Sequence, residues 1–260
     1  MLQKSNYAYL FKLIVGLCIV TSMTACSSLI RKPAVPKNEE AKVTINGLSD
    51  IRYLPMTQVG IEKMAQDLLN TQNDRQKLIA NNLIDNKLNF LSISGGGDNG
   101  AFGAGLLKAG NRPSFDLVTG ISTGALIAPF AFLGPEYDYV LKKVYTETSP
   151  SDIYQANGIT SVFFKDALAD SSPLFNLISK YVDENFLKKV AHEYQVNKRW
   201  LLIGTTNIDA GAPVLWNMGK IASAGTPESL DLFRRILLAS ASVPGAFPPI
   251  LFEVMSGQTS

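Results

Sequence analysis

Two glycine-rich turns constrain this chain more than any other feature. Gly95-Gly96-Gly97-Asp98-Asn99-Gly100 follows the apolar run Leu88 to Ile93, and Gly120-Ile121-Ser122-Thr123-Gly124 follows Phe115 to Thr119. Each stands where strand-like residues give way to helical spacing, Ala101 to Ala109 after the first and Ala125 to Leu133 after the second. Open α/β sheets bind ligands at the carboxyl ends of their parallel strands. The pattern therefore predicts an α/β domain with a mostly parallel central sheet, and both turns at one end of neighbouring strands.

The second turn fits an acyl-transfer nucleophile. A serine hydroxyl reacts only when its oxygen projects sharply from the backbone toward a base, and Gly120 and Gly124 permit a strained strand-to-helix elbow around Ser122. Such chemistry needs donors for the developing oxyanion, each worth about 2.7 to 4 kcal/mol. Consecutive glycines let the N–H groups of Gly96 and Gly97 point into one concavity at a helix N-terminus. Gly95-x-Gly97-x-x-Gly100 also fits a dinucleotide fingerprint, with Asp116 near the offset of a ribose-binding acid. That fit fails on position, because a ribose acid ends the second strand and Asp116 begins one. The lysine of a phosphate-binding P-loop is absent.

Composition removes other chemistries. Of 260 residues 46% are hydrophobic, enough for a real core. The 24 basic and 22 acidic residues form no basic block, so nothing points to nucleic acid. Both cysteines, Cys18 and Cys26, lie in the first 26 residues, and His192 is the single histidine. A cysteine or zinc metal site is therefore not expected, nor any cofactor.

The first 25 residues read as an export signal: Lys4 and Lys12, an apolar stretch from Leu13 to Val20 too short to span a bilayer, then Met23-Thr24-Ala25-Cys26. The last four residues resemble a bacterial lipobox, which implies lipidation of Cys26. Ser27 after it resembles an outer-membrane address. Residues 26–42, with Pro33, Pro36 and mixed charge, read as a tether, and 43–260 as the domain.

The remaining elements read as scaffold. Ile61 to Leu69 and Gln72 to Ile84 are expected as two packing helices, and Glu184 to Tyr194 as a third with His192 at its surface. Ser172-Pro173 and Thr226-Pro227 read as N-cap and first-turn pairs opening helices at Leu174 to Tyr181 and Leu230 to Leu238. Leu201 to Ile208 and Val214 to Met218 should pair across an Asp209-Ala210-Gly211 turn, and Ile250 to Val254 should be a strand without its partner. Phe163, Phe164, Phe175 and Trp216 could line an acyl channel, although core packing is the better reading.

Four segments in order carry a resemblance to the patatin-like phospholipases, specifically their bacterial lipoproteins: the two glycine turns, Gly204-Thr205-Thr206-Asn207-Ile208-Asp209, and Ala239 to Pro249. The resemblance implies a three-layer α/β/α fold, Ser122 as nucleophile of a Ser-Asp dyad, the backbone of Gly95, Gly96 and Gly97 as oxyanion hole, and acyl-ester lipids as substrates. Asn99 departs from the Arg or Lys of many members. The dyad aspartate belongs to an Asp-Gly-Gly or Asp-Gly-Ala motif beyond the segment matching Val243 to Pro249, and Ile250 to Ser260 has none. The sequence thus reads as a fragment or a truncated frame, with little turnover expected of it alone. Asp209 and His192 are poor substitutes, the first a turn residue and the second lacking a preceding aspartate partner. A non-catalytic lipid-binding or scaffolding lipoprotein is the competing expectation.

Overall fold

The computed structural model describes residues 34–36, 39–108, 112–147, 155–156 and 169–255. Cys26, the signal stretch, Phe163 and Phe164 lie outside them. Nine short strands are described: β1 (Thr44–Ile45), β2 (Arg52–Tyr53), β3 (Phe90–Ile93), β4 (Leu117–Ile121), β5 (Gln155–Ala156), β6 (Ala169–Asp170), β7 (Trp200–Asn207), β8 (Ala212–Asn217) and β9 (Val254–Met255). The helices are α1 (Gln58–Ala80), α2 (Gly100–Lys108), α3 (Thr123–Leu133), α4 (Asp138–Glu147), α5 (Ser172–Tyr181), α6 (Glu184–Gln195), α7 (Met218–Ser223) and α8 (Pro227–Ala241).

The central sheet has the order β2-β8-β7-β4-β3. β3, β4 and β7 pair in parallel, β8 returns antiparallel to β7, and β2 runs antiparallel to β8. Four of the five strands therefore point one way, as the strand-turn-helix pattern predicts, and the expected hairpin forms across Asp209 to Gly211. Gly211 there takes φ +62°, a conformation that costs glycine nothing.

Alternate residues of β7 face opposite layers. Leu201 and Ile203 enter the large core, filled by Ile127, Phe132, Phe186, Phe233 and Ile236 from the helices of one side. Trp200 and Leu202 turn the other way with Tyr53, under Met64 of α1 and Tyr194 of α6. This is the three-layer arrangement of an α/β fold. α3 is apolar nearly all round, which suits a helix buried at the centre of a layer.

α1 is one helix where two were expected. Nothing between Leu69 and Gln72 breaks it, and its ends are set by chemistry elsewhere. Thr57 Oγ1 accepts the Gly60 N–H at the start. At the finish Asn82 sits at φ +57°, with Asn82 N–H donating to the Ile79 carbonyl and Leu83 N–H to that of Leu78, a Schellman stop. Leu83 and Ile84 are thus outside the helix despite their spacing. The helix is fastened mainly by polar contacts: Tyr53 Oη donates to Asp67 at 2.8 Å, and Trp200 Nε1 to Thr71 Oγ1 at 3.1 Å.

Two other expectations shift. The cap of α5 is not Ser172; Asp170 accepts both the N–H and the hydroxyl of Ser172, at 2.9 and 2.8 Å, because a carboxylate two residues earlier competes for the same donors. Thr226 does cap α8, in a reciprocal capping box with Ser229. Of the last expected strand, Ile250 to Val254, only Val254 pairs, together with Met255 just beyond it, and the two have a partner, β1. Pro248 and Pro249 just before it cannot donate to a ladder.

Two buried arginines fix the start of β4 and thereby the elbow beyond it. Arg199 donates to the carbonyls of Phe115 at 2.7 Å and Phe132 at 2.5 Å, tying the strand's beginning to the end of α3, and pairs with Glu193 at 2.7 Å. Arg75 pairs with Asp116 at 2.8 Å, whose second oxygen accepts the Asn89 N–H at 2.7 Å. Asp116 is a structural anion.

Candidate active site

β3 and β4 bring both turns to one edge of the sheet. Ile93 lies opposite Gly120 in the parallel register, so the residues after each strand emerge side by side. The elbow itself is shorter than its motif: Gly120 and Ile121 still belong to β4, α3 begins at Thr123, and Ser122 alone makes the turn. Ser122 has φ 56° and ψ −127°, a region that side chains other than glycine's rarely occupy. Holding it there costs about 1 to 3 kcal/mol, which the surroundings must supply.

The flanking glycines show how. A Cβ on Gly120 would lie 2.4 Å from the Gly124 carbonyl oxygen, and one on Gly124 would lie 2.2 Å from that of Ile93. Both approaches are backbone to backbone, so α3 seats directly on the strand ends. Ser122 is half-buried, its side chain does not cap α3, and its backbone N–H donates to Ser240 Oγ at 2.9 Å.

Gly95 stands against Ser122. A Cβ there would be 2.9 Å from Ser122 Cβ and 3.5 Å from its Oγ. Gly97 takes φ +54° and opens a single 3₁₀ turn to Asn99, whose N–H donates to the Gly96 carbonyl at 3.0 Å. α2 then starts at Gly100, which is pressed under Thr123: a Cβ would come within 2.5 Å of Thr123 Oγ1 and 2.9 Å of Tyr145 Oη. Those two oxygens hydrogen-bond at 2.9 Å. Burial raises the Tyr145 phenol, against the pull of its bond to Thr123, so it stays neutral at physiological pH. The N-termini of α2 and α3 meet here, and their positive ends favour negative charge on an oxygen between them.

A cavity of about 520 Å³ lies beside the first turn, lined by Ile93, Ser94, Gly95, Asn99, Gly100, Phe102, Gly103 and Ile127. Phe102, 76% exposed, stands at its rim. Trp216 belongs to the core and Phe175 packs against it, in line with the packing reading: Trp216 packs on Phe252 and donates to Thr205 Oγ1 at 2.8 Å.

The two other titratable candidates are both exposed. His192 is exposed on α6. Asp209 is exposed in the β7–β8 turn, where its N–H and that of Ala210 donate to Asn207 Oδ1. Sequence reasoning placed Ser122 and the glycines but passed over Ser240, Thr123 and Tyr145. Ser240 sits in one of the four motif segments, and the small-residue run Ala239 to Ser242 that ends the amphipathic helix α8 was the available signal.

A family model described as patatin-like phospholipase matches residues 91–255, more than half of the chain and all four motif segments. No curated protein matches the chain.

Proposed function

The chain belongs to the patatin-like phospholipase family, and on that premise we propose that Ser122 is the nucleophile of a lipid acyl hydrolase. The conformation of Ser122 carries this reading: a serine held at φ 56° between a parallel strand and a buried helix, beside a second glycine turn, has no structural need to be serine. In the proposed reaction Ser122 Oγ attacks the acyl carbonyl carbon and passes its proton to the aspartate of the family's dyad. Backbone N–H groups of Gly95, Gly96 and Gly97 donate to the tetrahedral oxyanion. The proton returns to the departing alcohol, and water then releases the fatty acid from the acyl-serine. We assign the aspartate to no residue among those described.

Phospholipids are the proposed substrates, and the cavity walled by Ile93, Phe102 and Ile127 is the proposed acyl site. Fatty-acid release from phospholipid vesicles tests the reading. Release by the full-length protein that Ser122→Ala abolishes supports it; vesicle binding without release supports a lipid-binding module instead.

The anchor is a separate proposal, supported by the Met23 to Cys26 lipobox resemblance. Lipidated Cys26 would hold the domain on a bacterial membrane facing the periplasm or at the outer membrane, since several acyl chains anchor stably where one does not. Labelled palmitate is expected in the wild-type protein and absent from Cys26→Ser, which should move to the soluble fraction. Equal label in both would end the proposal.

A further inference from the structure

The hydrogen-bond ladder between β4 and β7 shows what Ser240 does. In a parallel pair one strand's residues alternate between the two neighbours, each facing residue offering its N–H and C=O to the same side. Trp200 N–H donates to the Asp116 carbonyl at 2.8 Å, and Ile121 lies opposite Gly204. Those two facts fix the phase: Val118 and Gly120 face β7, and the next rung would run from Ser122 N–H to the Gly204 carbonyl. That rung is not made directly. Ser240 Oγ stands in it, accepting the Ser122 N–H at 2.9 Å and donating to the Gly204 oxygen at 2.6 Å.

The chain supplies its own comparison. Hydroxyls of Thr71, Thr146 and Ser223 within their helices, and of Ser242 just after α8, each donate to the carbonyl four residues earlier. That is the ordinary use of a helical hydroxyl. Ser240, two residues before Ser242 and near the same helix end, instead turns outward and joins three elements. Its hydroxyl occupies the place where β4 must leave the sheet, keeps both ladder groups satisfied, and lets Ser122 peel away into its left-handed conformation. It also engages the Ser122 N–H, so that group is not free to serve an oxyanion, consistent with donors from the Gly95 to Gly97 turn.

We propose that Ser240 is a positioning residue that sets the backbone of Ser122, and so the reactivity of its hydroxyl, by replacing the last rung of the β4–β7 ladder. The inference rests on Ser122 being the nucleophile. With Ser240→Ala, the Ser122 N–H and Gly204 carbonyl close on each other or turn to water, and the elbow loses its set.

The test compares Ser240→Ala, Ser240→Thr and Ser242→Ala in the full-length protein, measuring fluorophosphonate labelling rate, kcat and KM, and the Ser122 amide resonance. Ser240→Ala is expected to slow labelling and lower kcat about tenfold or more, with KM little changed, and to move the Ser122 amide signal. Ser240→Thr, which keeps the hydroxyl, should recover most of the rate. Ser242→Ala should match the wild type. Labelling of Ser240→Ala at the wild-type rate, equal losses in all three variants, or an unmoved Ser122 amide would overturn the inference. A wild-type protein that takes no label at Ser122 defeats the nucleophile reading itself, a result separable from the others.

Discussion

Replacing Ser122 by alanine is expected to lower kcat for ester hydrolysis by roughly 10⁴-fold or more, as loss of a nucleophile does in serine enzymes. The unfolding temperature should stay within about 2 °C, because alanine keeps the Cβ and hence the strain at φ 56°. Ser122→Gly separates reactivity from strain. It removes the same oxygen, so turnover is equally lost, but glycine occupies this conformation freely. The relief, about 0.5 to 2 kcal/mol after the greater entropy of unfolded glycine, should raise the unfolding temperature by roughly 2 to 6 °C. A glycine variant no more stable than the alanine variant would mean that the elbow stores no strain.

Gly124→Ala is expected to be the most damaging single-methyl change in the site. Its Cβ would sit 2.2 Å from the Ile93 carbonyl oxygen and 2.7 Å from that of Ser94, and backbone cannot swing aside as a side chain does. Either α3 lifts from the strand ends or the first turn is pushed off the second. We expect a loss of about 3 kcal/mol or more, a fall in unfolding temperature of roughly 6 to 12 °C, and loss of labelling at Ser122 as Gly95 moves away. Gly105→Ala, the same change on α2, meets nothing within 4 Å. It should be neutral or stabilise by up to about 1 kcal/mol through helix propensity. Thermal unfolding of the pair checks both signs, and a tolerant Gly124 would show that the close seating of α3 is not required.

The contrast between these glycines also marks how far the sequence could be read. The turns, the strands before them and the helices after them were legible, because glycine between a short apolar run and a helical pattern leaves few alternatives. Their adjacency followed from the parallel arrangement. The β7–β8 hairpin was legible from Asp209-Ala210-Gly211, since only a tight turn uses those residues between two apolar runs. What was hidden depends on distance or direction. The pairing of Thr44–Ile45 with Val254–Met255 joins the two ends of the described domain, and no local pattern encodes it. The extent of α1 depends on the cap at Thr57 and the left-handed stop at Asn82 rather than on its interrupted apolar stripe. The direction of the Ser240 hydroxyl depends on ladder phase, which exists only once β4 and β7 are in register.

One measurement bears most directly on the central claim. The full-length protein is treated with a fluorophosphonate probe, digested, and the adduct located by mass spectrometry. An activated nucleophile at the elbow predicts one label per chain, on Ser122, and none in Ser122→Ala. A protein left unlabelled, or labelled on another serine with Ser122 untouched, would contradict it.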